Sequence, residues 1–535
     1  IIKRLLTIFF PNNHLNVDLV KFSNFILKMI KHHGIVGTIK YLKLIKLHCT
    51  RYICGNPLMH NNASIGLTKD GWPKKIVFLK PLADTESVSD KKLLLTILNF
   101  GRTLNPTHKE WEKLIKNFDY GSINNPYSGQ KYIIPSGFIN HFVKKFNLKI
   151  NEDQIKFSKD KVYLSLKAGP EGPATMTSQN NILKYNYNEM QNIFDLTSEE
   201  GINFFCVNYK QEFEKENKTK NKINYLGKIS FIKDPDAKLR PIGIIDYYSQ
   251  LYLKILNDNM FIKIKNFSQD RTFTQNPLNK WLDNGEDFSS LDLSSATDRF
   301  PISLQRRLLS RIFNPKIATA WEHLLKGRIF LKPDGKTISY EVGQPMGSYS
   351  SWISFTLTHH LIVHWAFFLN KENPKDQYIL LGDDIVIKNN KVSETYKDLM
   401  NKHGVTISPT KTHVSKNTYE FAKRWICNGV EITGLPLRGI IDNFNNPIIV
   451  FTIIYDYFKI KNNLFLSRNN LVVSLCQLYD KFYIIKNNKK YIKTLNKKNF
   501  KSLLNLSLTF DVIFNYMTYD KLRLFFTNNV KNDLY

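Results

Sequence analysis

The sequence predicts an α+β fold, and three observations carry that prediction. Apolar residues at helical spacing dominate both ends of the chain, before about residue 150 and beyond Ile440. Strand-like stretches such as "YLGKISFIKD" and "LRPIGIID" gather in the middle. The hydrophobic fraction of 42% and aromatic fraction of 13%, over 535 residues, fit a folded chain with room for more than one core.

Lysine and arginine number 76 against 46 aspartates and glutamates, a formal charge of +30 at pH 7. Such an excess attracts polyanions, so nucleic acid is the first expected partner and an acidic membrane surface the second. Cys49, Cys54, Cys206, Cys427 and Cys476 are odd in number and scattered, which argues against a disulfide framework and fits a reducing compartment. Cys49 and Cys54 in "HCTRYIC" have metal-like spacing, but no second such pair follows at zinc-finger distance, so they read as ordinary thiols. The opening "IIKRLLTIFF" is basic and apolar yet too short and Ser-poor to assign as a targeting segment.

Taken in order, residues 1–150 read as mostly helical and carry no recognisable motif. "KAGPEGPATMTS", from Lys167 to Ser178, is a loop because of its Gly-Pro pairs. "FSSLDL", from Phe288 to Leu293, alternates as a half-buried strand would, with Asp292 near its end. In "GQPMGSYSSW", Gly343 and Gly347 permit a mobile loop before a helix, which Ser348, Ser350 and Ser351 can cap. The helix itself, within "SWISFTLTHHLIVHWAFFLN", approaches membrane-spanning length, but its three histidines and several hydroxyls suit a buried helix, and no membrane span is expected. "YILLGDDIVIKNN", from Tyr378 to Asn390, is an apolar hairpin with Asp383 and Asp384 at its tip and Gly382 easing the turn. "SPTKTHVS" follows, and beyond Ile440 the chain returns to helical spacing with little glycine.

Two adjacent aspartates at the tip of an apolar hairpin repel each other. A solvated turn is one reading, since Asp and Gly are ordinary turn residues. The other follows if the hairpin and "FSSLDL" are neighbours in one sheet. Asp292 and Asp383 then converge at its edge and raise each other's pKa unless a cation neutralises them. Hard oxygen ligands with open positions suit Mg²⁺, with Mn²⁺ as the alternative. Two such ions, ~3.5–4 Å apart, would clamp the attacking 3′ oxygen and the leaving pyrophosphate of an in-line transfer.

The ordered set "KDPDAKLRPIG", "DLSSATDRFP", "GQPMGSYSSW", "LGDDIVI" and "SPTKTHVSKNTYEFAKRW" resembles the RNA-dependent RNA polymerase of mitoviruses, capsidless replicons related to narnaviruses and more distantly to leviviruses. The resemblance covers roughly Lys167 to Gly439 and rests on five motifs in matching order. It implies a right-hand polymerase with fingers, a palm built on a small antiparallel sheet, and a helical thumb. It further implies that Asp292, Asp383 and Asp384 bind the metals and that Asp298 senses the ribose hydroxyls of the incoming NTP. Lys233, Lys238 and Arg240 would face the triphosphate, with Ser348 and Ser351 near the nucleotide or template. Lys411 would donate the proton to departing pyrophosphate. Lys423 and Arg424 would hold the product strand, while Lys167, Gly169 and Gly347 would steer RNA. Many related polymerases carry an Asn along the helix after the Gly-rich loop; here Phe355 stands near that place. His360 and His364 are one helical turn apart, but without a Glu between them or a third ligand they read as packing or template-contact residues.

The implied domains are an N-terminal helical extension (1–150), fingers (151–285), a palm (286–433) with a fingers insertion near 311–342, and a helical thumb (434–535). RNA template and product and NTPs are the expected partners; no protein partner is inferable. The resemblance implies residence in a host mitochondrion. Two rivals share the aspartates: a reverse transcriptase, against which the second acid in "DLSSATD" argues, and a non-catalytic RNA-binding relic, against which the intact acids and lysines argue.

Overall fold

The computed structural model describes residues 2–10, 19–59, 65–215, 225–283, 285–408, 411–459, 478, 482–486 and 489–493. The chain forms two compact units, one of residues 1–52, 59–105 and 430–535, the other of residues 53–58 and 106–429. In the first, the Val88–Leu98 helix starts where Ser87 Oγ accepts from Asp90 N at 3.3 Å, and its Leu93, Leu94 and Leu95 are buried. The chain after residue 430 packs against it: Leu435 N donates to Thr96 Oγ1 at 2.9 Å, and a Cβ on Gly434 would lie 2.5 Å from Thr96 N. Of the expected helical region 434–535, the helices Leu437–Asp442 and Pro447–Lys459 and an antiparallel pairing of Phe482–Lys486 with Lys489–Lys493 are described; the rest, with Cys476, lies outside the described residues.

The second unit carries two four-stranded sheets. One has the order β2-β1-β4-β5, from β1 (Gly227–Asp234), β2 (Lys238–Ile245), β4 (Phe330–Leu331) and β5 (Thr337–Ile338). The other has the order β6-β7-β3-β8, from β3 (Phe288–Leu291), β6 (Tyr378–Leu381), β7 (Asp384–Ile387) and β8 (His413–Ser415), all antiparallel. A further hairpin joins β9 (Thr418–Phe421) to β10 (Arg424–Cys427).

Strand β3 departs from the expected half-buried alternation, because all four of its residues are buried. It is a central strand between β7 and β8, and its serines are tolerated inside because Ser290 Oγ accepts from Glu420 N on β9 at 3.1 Å. The Ser351–Leu369 helix is buried along almost its whole length, as its composition predicts, and no described helix is long and apolar enough to cross a membrane.

Candidate active site

The register of β3 and β7 builds the site. Leu291 pairs with Ile385 in an antiparallel ladder, so continuing one step sets Asp292, just past β3, level with Asp384 at the start of β7. Leu381 pairs with Asp384, which leaves Gly382–Asp383 as a two-residue loop. Gly382 has φ +59 while Asp383 does not share a positive φ, the pattern of a II′ hairpin turn that demands glycine first. A Cβ on Gly382 would also lie 2.9 Å from the indole nitrogen of Trp352.

The three aspartates, 91 or more positions apart in sequence between Asp292 and the pair (383 − 292 = 91), act on one another electrostatically. Burial first, then Asp383, Glu420 and Asp292, push the Asp384 carboxyl up to about 7, with Lys423 opposing. Asp383 is likewise raised, first by burial and then by Asp292, while Arg240 and Lys238 pull it down. The Asp383 side chain itself is exposed at the tip of the turn, and the protein packed around that tip raises its proton affinity. Asp292 is ion-paired with Lys411, Nζ to Oδ2 at 2.6 Å.

Among the described residues no cluster of three His, Cys, Asp or Glu side chains is preassembled as a metal cage. The donor chemistry nevertheless fits Mg²⁺, which takes one or two carboxylates and completes its shell with water and substrate phosphate. A raised Asp384 beside two further carboxylates is the electrostatic state that a bound cation relieves.

Two basic residues of β2 share this neighbourhood. Lys238 and Arg240 lie on the more exposed face of β2, and the fields of both reach Asp383. Lys233 is not brought to the acids by any described contact; its ammonium lies 5.7 Å from the centre of the Trp111 ring. Lys167 and Gly169 sit in a tight hairpin in which Gly169 N donates to Gly172 O at 2.6 Å and Ala174 N to Lys167 O at 2.8 Å. Gly347 has φ +103, and a Cβ there would lie 2.8 Å from Ile242 of β2. Lys423 lies in the β9–β10 turn and Arg424 follows it: the field of Lys423 reaches Asp384, and Arg424 donates to Gln275 O at 3.0 Å.

The serines after the Gly-rich loop do not cap the helix as expected. Ser350 is the cap residue but makes no side-chain cap bond; it adopts φ +67, and its Oγ accepts from Trp321 Nε1 at 2.8 Å. Ser348 Oγ is buried without a partner among the described residues, and Ser351 is buried with its carbonyl accepting from Gln344 Nε2 at 2.8 Å. His360 and His364 both bond Tyr378 Oη, at 2.8 and 3.0 Å, as packing residues do.

Asp298 lies in the Ala296–Arg299 turn, 5% exposed. Burial pushes its carboxyl up to about 6, against a hydrogen bond from Ser122 and the charges of Lys238 and Arg299. Sequence reasoning missed Ser122, Glu420 and His359. His359 Nδ1 lies 2.8 Å from Gly382 O and its Nε2 2.7 Å from Tyr396 Oη, so it braces the turn that carries Asp383 and Asp384. Only the alternation around "TYEF" could have flagged Glu420, and no local signal marks the other two.

Comparison with known proteins matches residues 155–535 to the family model described as mitovirus RNA-dependent RNA polymerase. The RNA-directed RNA polymerase of Cryphonectria parasitica mitovirus 1 is 31% identical over 362 residues, 62% of this chain and 42% of that protein, so the match spans less than half of that relative. An uncharacterized mitochondrial protein of Arabidopsis thaliana is 34% identical over 178 residues, 30% of this chain and 70% of that protein. The crystal structure of the RNA-dependent RNA polymerase of a human picorbirnavirus aligns with TM-score 0.39 and 12% identity over 69% of this chain and 89% of that one, a likeness too slight to carry an argument. With the family model matched over well more than half its length, the chain belongs to the mitovirus RNA-dependent RNA polymerase family.

Proposed function

We propose that the protein is a template-directed RNA polymerase that transfers a nucleotidyl group from an NTP to the 3′-OH of an RNA chain. The observation that carries this reading is the convergence of Asp292 with the Gly382–Asp383–Asp384 turn, where burial and the charge of Asp292 raise the proton affinity of Asp383 and Asp384. In this reading Asp292, Asp383 and Asp384 hold two Mg²⁺ ions, with Mn²⁺ as a substitute. When bound, those ions neutralise charge on the attacking oxygen and the departing pyrophosphate.

The chain's own residues supply positioning and fixed charge. Lys238 and Arg240, whose fields already reach Asp383, bind the triphosphate, with Lys233 at its outer end. Lys411, held 2.6 Å from Asp292, donates the proton to departing pyrophosphate. Asp298 reads the ribose hydroxyls beside Ser348 and Ser351, since a carboxylate acceptor distinguishes a 2′-OH from its absence. Lys423 and Arg424 hold the product strand, while Lys167, Gly169 and Gly347 guide RNA.

The β6-β7-β3-β8 sheet is then the palm (286–433), residues 151–285 the fingers, 434–535 the thumb and 1–150 an N-terminal extension. Pairing of β4 with β1 supports joining the insertion near 311–342 to the fingers. The mitochondrial name of the Arabidopsis relative supports residence in a host mitochondrion.

Primer extension on one RNA template, with NTPs against dNTPs, tests the reading in wild type and Asp383→Ala. Wild type should extend with NTPs, and the variant should lose at least about a hundredfold in rate. Equal incorporation by both proteins would overturn the catalytic assignment, and a strong dNTP preference would make the enzyme a reverse transcriptase.

A further inference from the structure

The carboxylate of Asp298 is enclosed unevenly. Its Oδ2 accepts from Ser122 Oγ at 2.8 Å, whereas its Oδ1 is buried with no hydrogen-bond partner among the described residues. A buried carboxylate oxygen without a donor is a costly arrangement, and such groups call for a reason. Ser122 comes from 176 positions upstream, in a segment with no motif of its own.

That segment is nonetheless fixed tightly beside the acid. Ile123 is fully buried, and its carbonyl accepts from Glu341 N at 3.0 Å. Arg299, next to Asp298 in the chain, donates to Asn125 O at 2.7 Å and to Pro126 O at 2.9 Å. Asp298 and Arg299 therefore grip the Gly121–Asn124 helical turn at two points, one through Ser122 and one through the backbone behind it. On the other side, Gly343 N donates to Asp298 O at 3.0 Å and Gln344 N to Thr297 O at 3.1 Å. A Cβ at Gly343 would lie 2.2 Å from Thr297 O, so only glycine permits that approach.

The helix after the Gly-rich loop gives Asp298 no donor. Phe355 packs edge-on against Phe300, ring centres 4.8 Å apart, and Ser354 Oγ is committed to Gln305 Oε1 and Ser351 O. The acid nevertheless belongs to the reacting neighbourhood, because the charge of Lys238 acts on both Asp298 and Asp383.

We propose that Ser122 is a positioning residue for sugar selection: its hydroxyl pins Oδ2 of Asp298, which reserves Oδ1 to accept the 2′-hydroxyl of the incoming ribonucleotide. The proposal rests on the reading of Asp298 as the ribose-sensing acid. In the neighbouring Gly-rich loop Ser348 Oγ is likewise buried without a partner among the described residues. The N-terminal region thereby contributes a group that the helix does not supply.

The test is single-nucleotide extension by the full chain, measuring kcat/KM for ATP and for dATP in wild type, Ser122→Ala, Ser122→Thr and Asp298→Ala. Ser122→Ala should reduce the ATP-to-dATP ratio by about tenfold, through ATP alone, and Ser122→Thr, which restores a hydroxyl, should recover most of it. An unchanged ratio in Ser122→Ala, with the ratio lost in Asp298→Ala, overturns the role of Ser122 and leaves the ribose-sensing reading intact. An equal loss for both nucleotides in Ser122→Ala reduces Ser122 to a fold contact and also overturns it. An unchanged ratio in Asp298→Ala removes the reading on which the proposal stands.

Discussion

His359 lies fully buried behind the acidic turn, bonded to Gly382 O on one ring nitrogen and to Tyr396 Oη on the other. Burial drives its pKa down to about 3, so it is neutral in the fold, with Nδ1–H donating to the carbonyl and Nε2 accepting from the phenol. A histidine whose folded pKa lies below its unfolded value of about 6.5 stabilises the fold fully above that value and loses the advantage as pH falls below it. Asp298 and Asp384 have raised pKa values and respond in the opposite sense, so the wild-type curve alone mixes the two. The difference between wild type and His359→Gln isolates the histidine. In urea unfolding at about pH 7.5 the variant should be less stable by about 2 kcal/mol, from two disturbed buried bonds. By about pH 5 that gap should have narrowed by roughly 2 kcal/mol, as only the wild-type unfolded chain gains a proton on this imidazole, which it must release to fold. A gap of constant size would refute the neutral-imidazole account. The aspartates were legible in sequence because acids at an apolar turn conflict with local preference. His359 was not, because one more histidine in an apolar helix carries no mark of what it touches.

At the scale of elements, turn chemistry was the best guide and burial the poorest. The hairpin around Gly382 was legible because a tight loop of Gly-Asp between apolar runs has few other solutions. The burial of β3 on both faces was not, because Ser289 and Ser290 mimic a polar face, and the backbone donor for Ser290 arrives from β9, some 130 residues later. The serines beyond Gly347 were ambiguous in the same way: their composition allowed a cap, whereas Ser350 Oγ accepts from Trp321 instead. The β9–β10 turn shows a conflict that the sequence did not announce. Phe421 pairs with Arg424, so the loop is Ala422–Lys423, and both residues have positive φ, at 51 and 63. A I′ turn of this kind favours Asn or Gly, and an alanine there is strained. Ala422→Gly should therefore raise stability by about 0.5–1 kcal/mol, read as a higher urea midpoint with an unchanged slope. A lower midpoint would mean that the alanine methyl contributes packing greater than the strain it costs. This turn carries Lys423, the cation whose field opposes the raised pKa of Asp384.

Over the whole molecule the chain is strongly basic, whereas the candidate site is a small acidic cluster. The charge of +30 was the most legible property of all, since it needs only a count, yet a count does not say where the charge acts. In the proposed reading that charge acts on RNA, and salt dependence turns that into a measurable quantity. Each phosphate neutralised on a single strand adds about −0.7 to the slope of log Kobs against log salt. If Lys167, Lys423 and Arg424 each meet one phosphate, those three alone give a slope of about −2, and the remaining basic surface makes it steeper. Fluorescence anisotropy with a labelled single-stranded RNA, in buffer containing a chelator so that no synthesis occurs, supplies the measurement. Lys167→Ala should flatten the slope by about 0.7 and weaken binding to unrelated RNA sequences by a similar factor, because a phosphate contact carries no base information. Lys233→Ala should leave the slope unchanged, as that ammonium lies over Trp111 and is assigned to the nucleotide instead of the strand. A wild-type slope flatter than about −1 would place the excess charge away from the RNA path, and equal slopes for wild type and Lys167→Ala would remove the Gly-Pro loop from it.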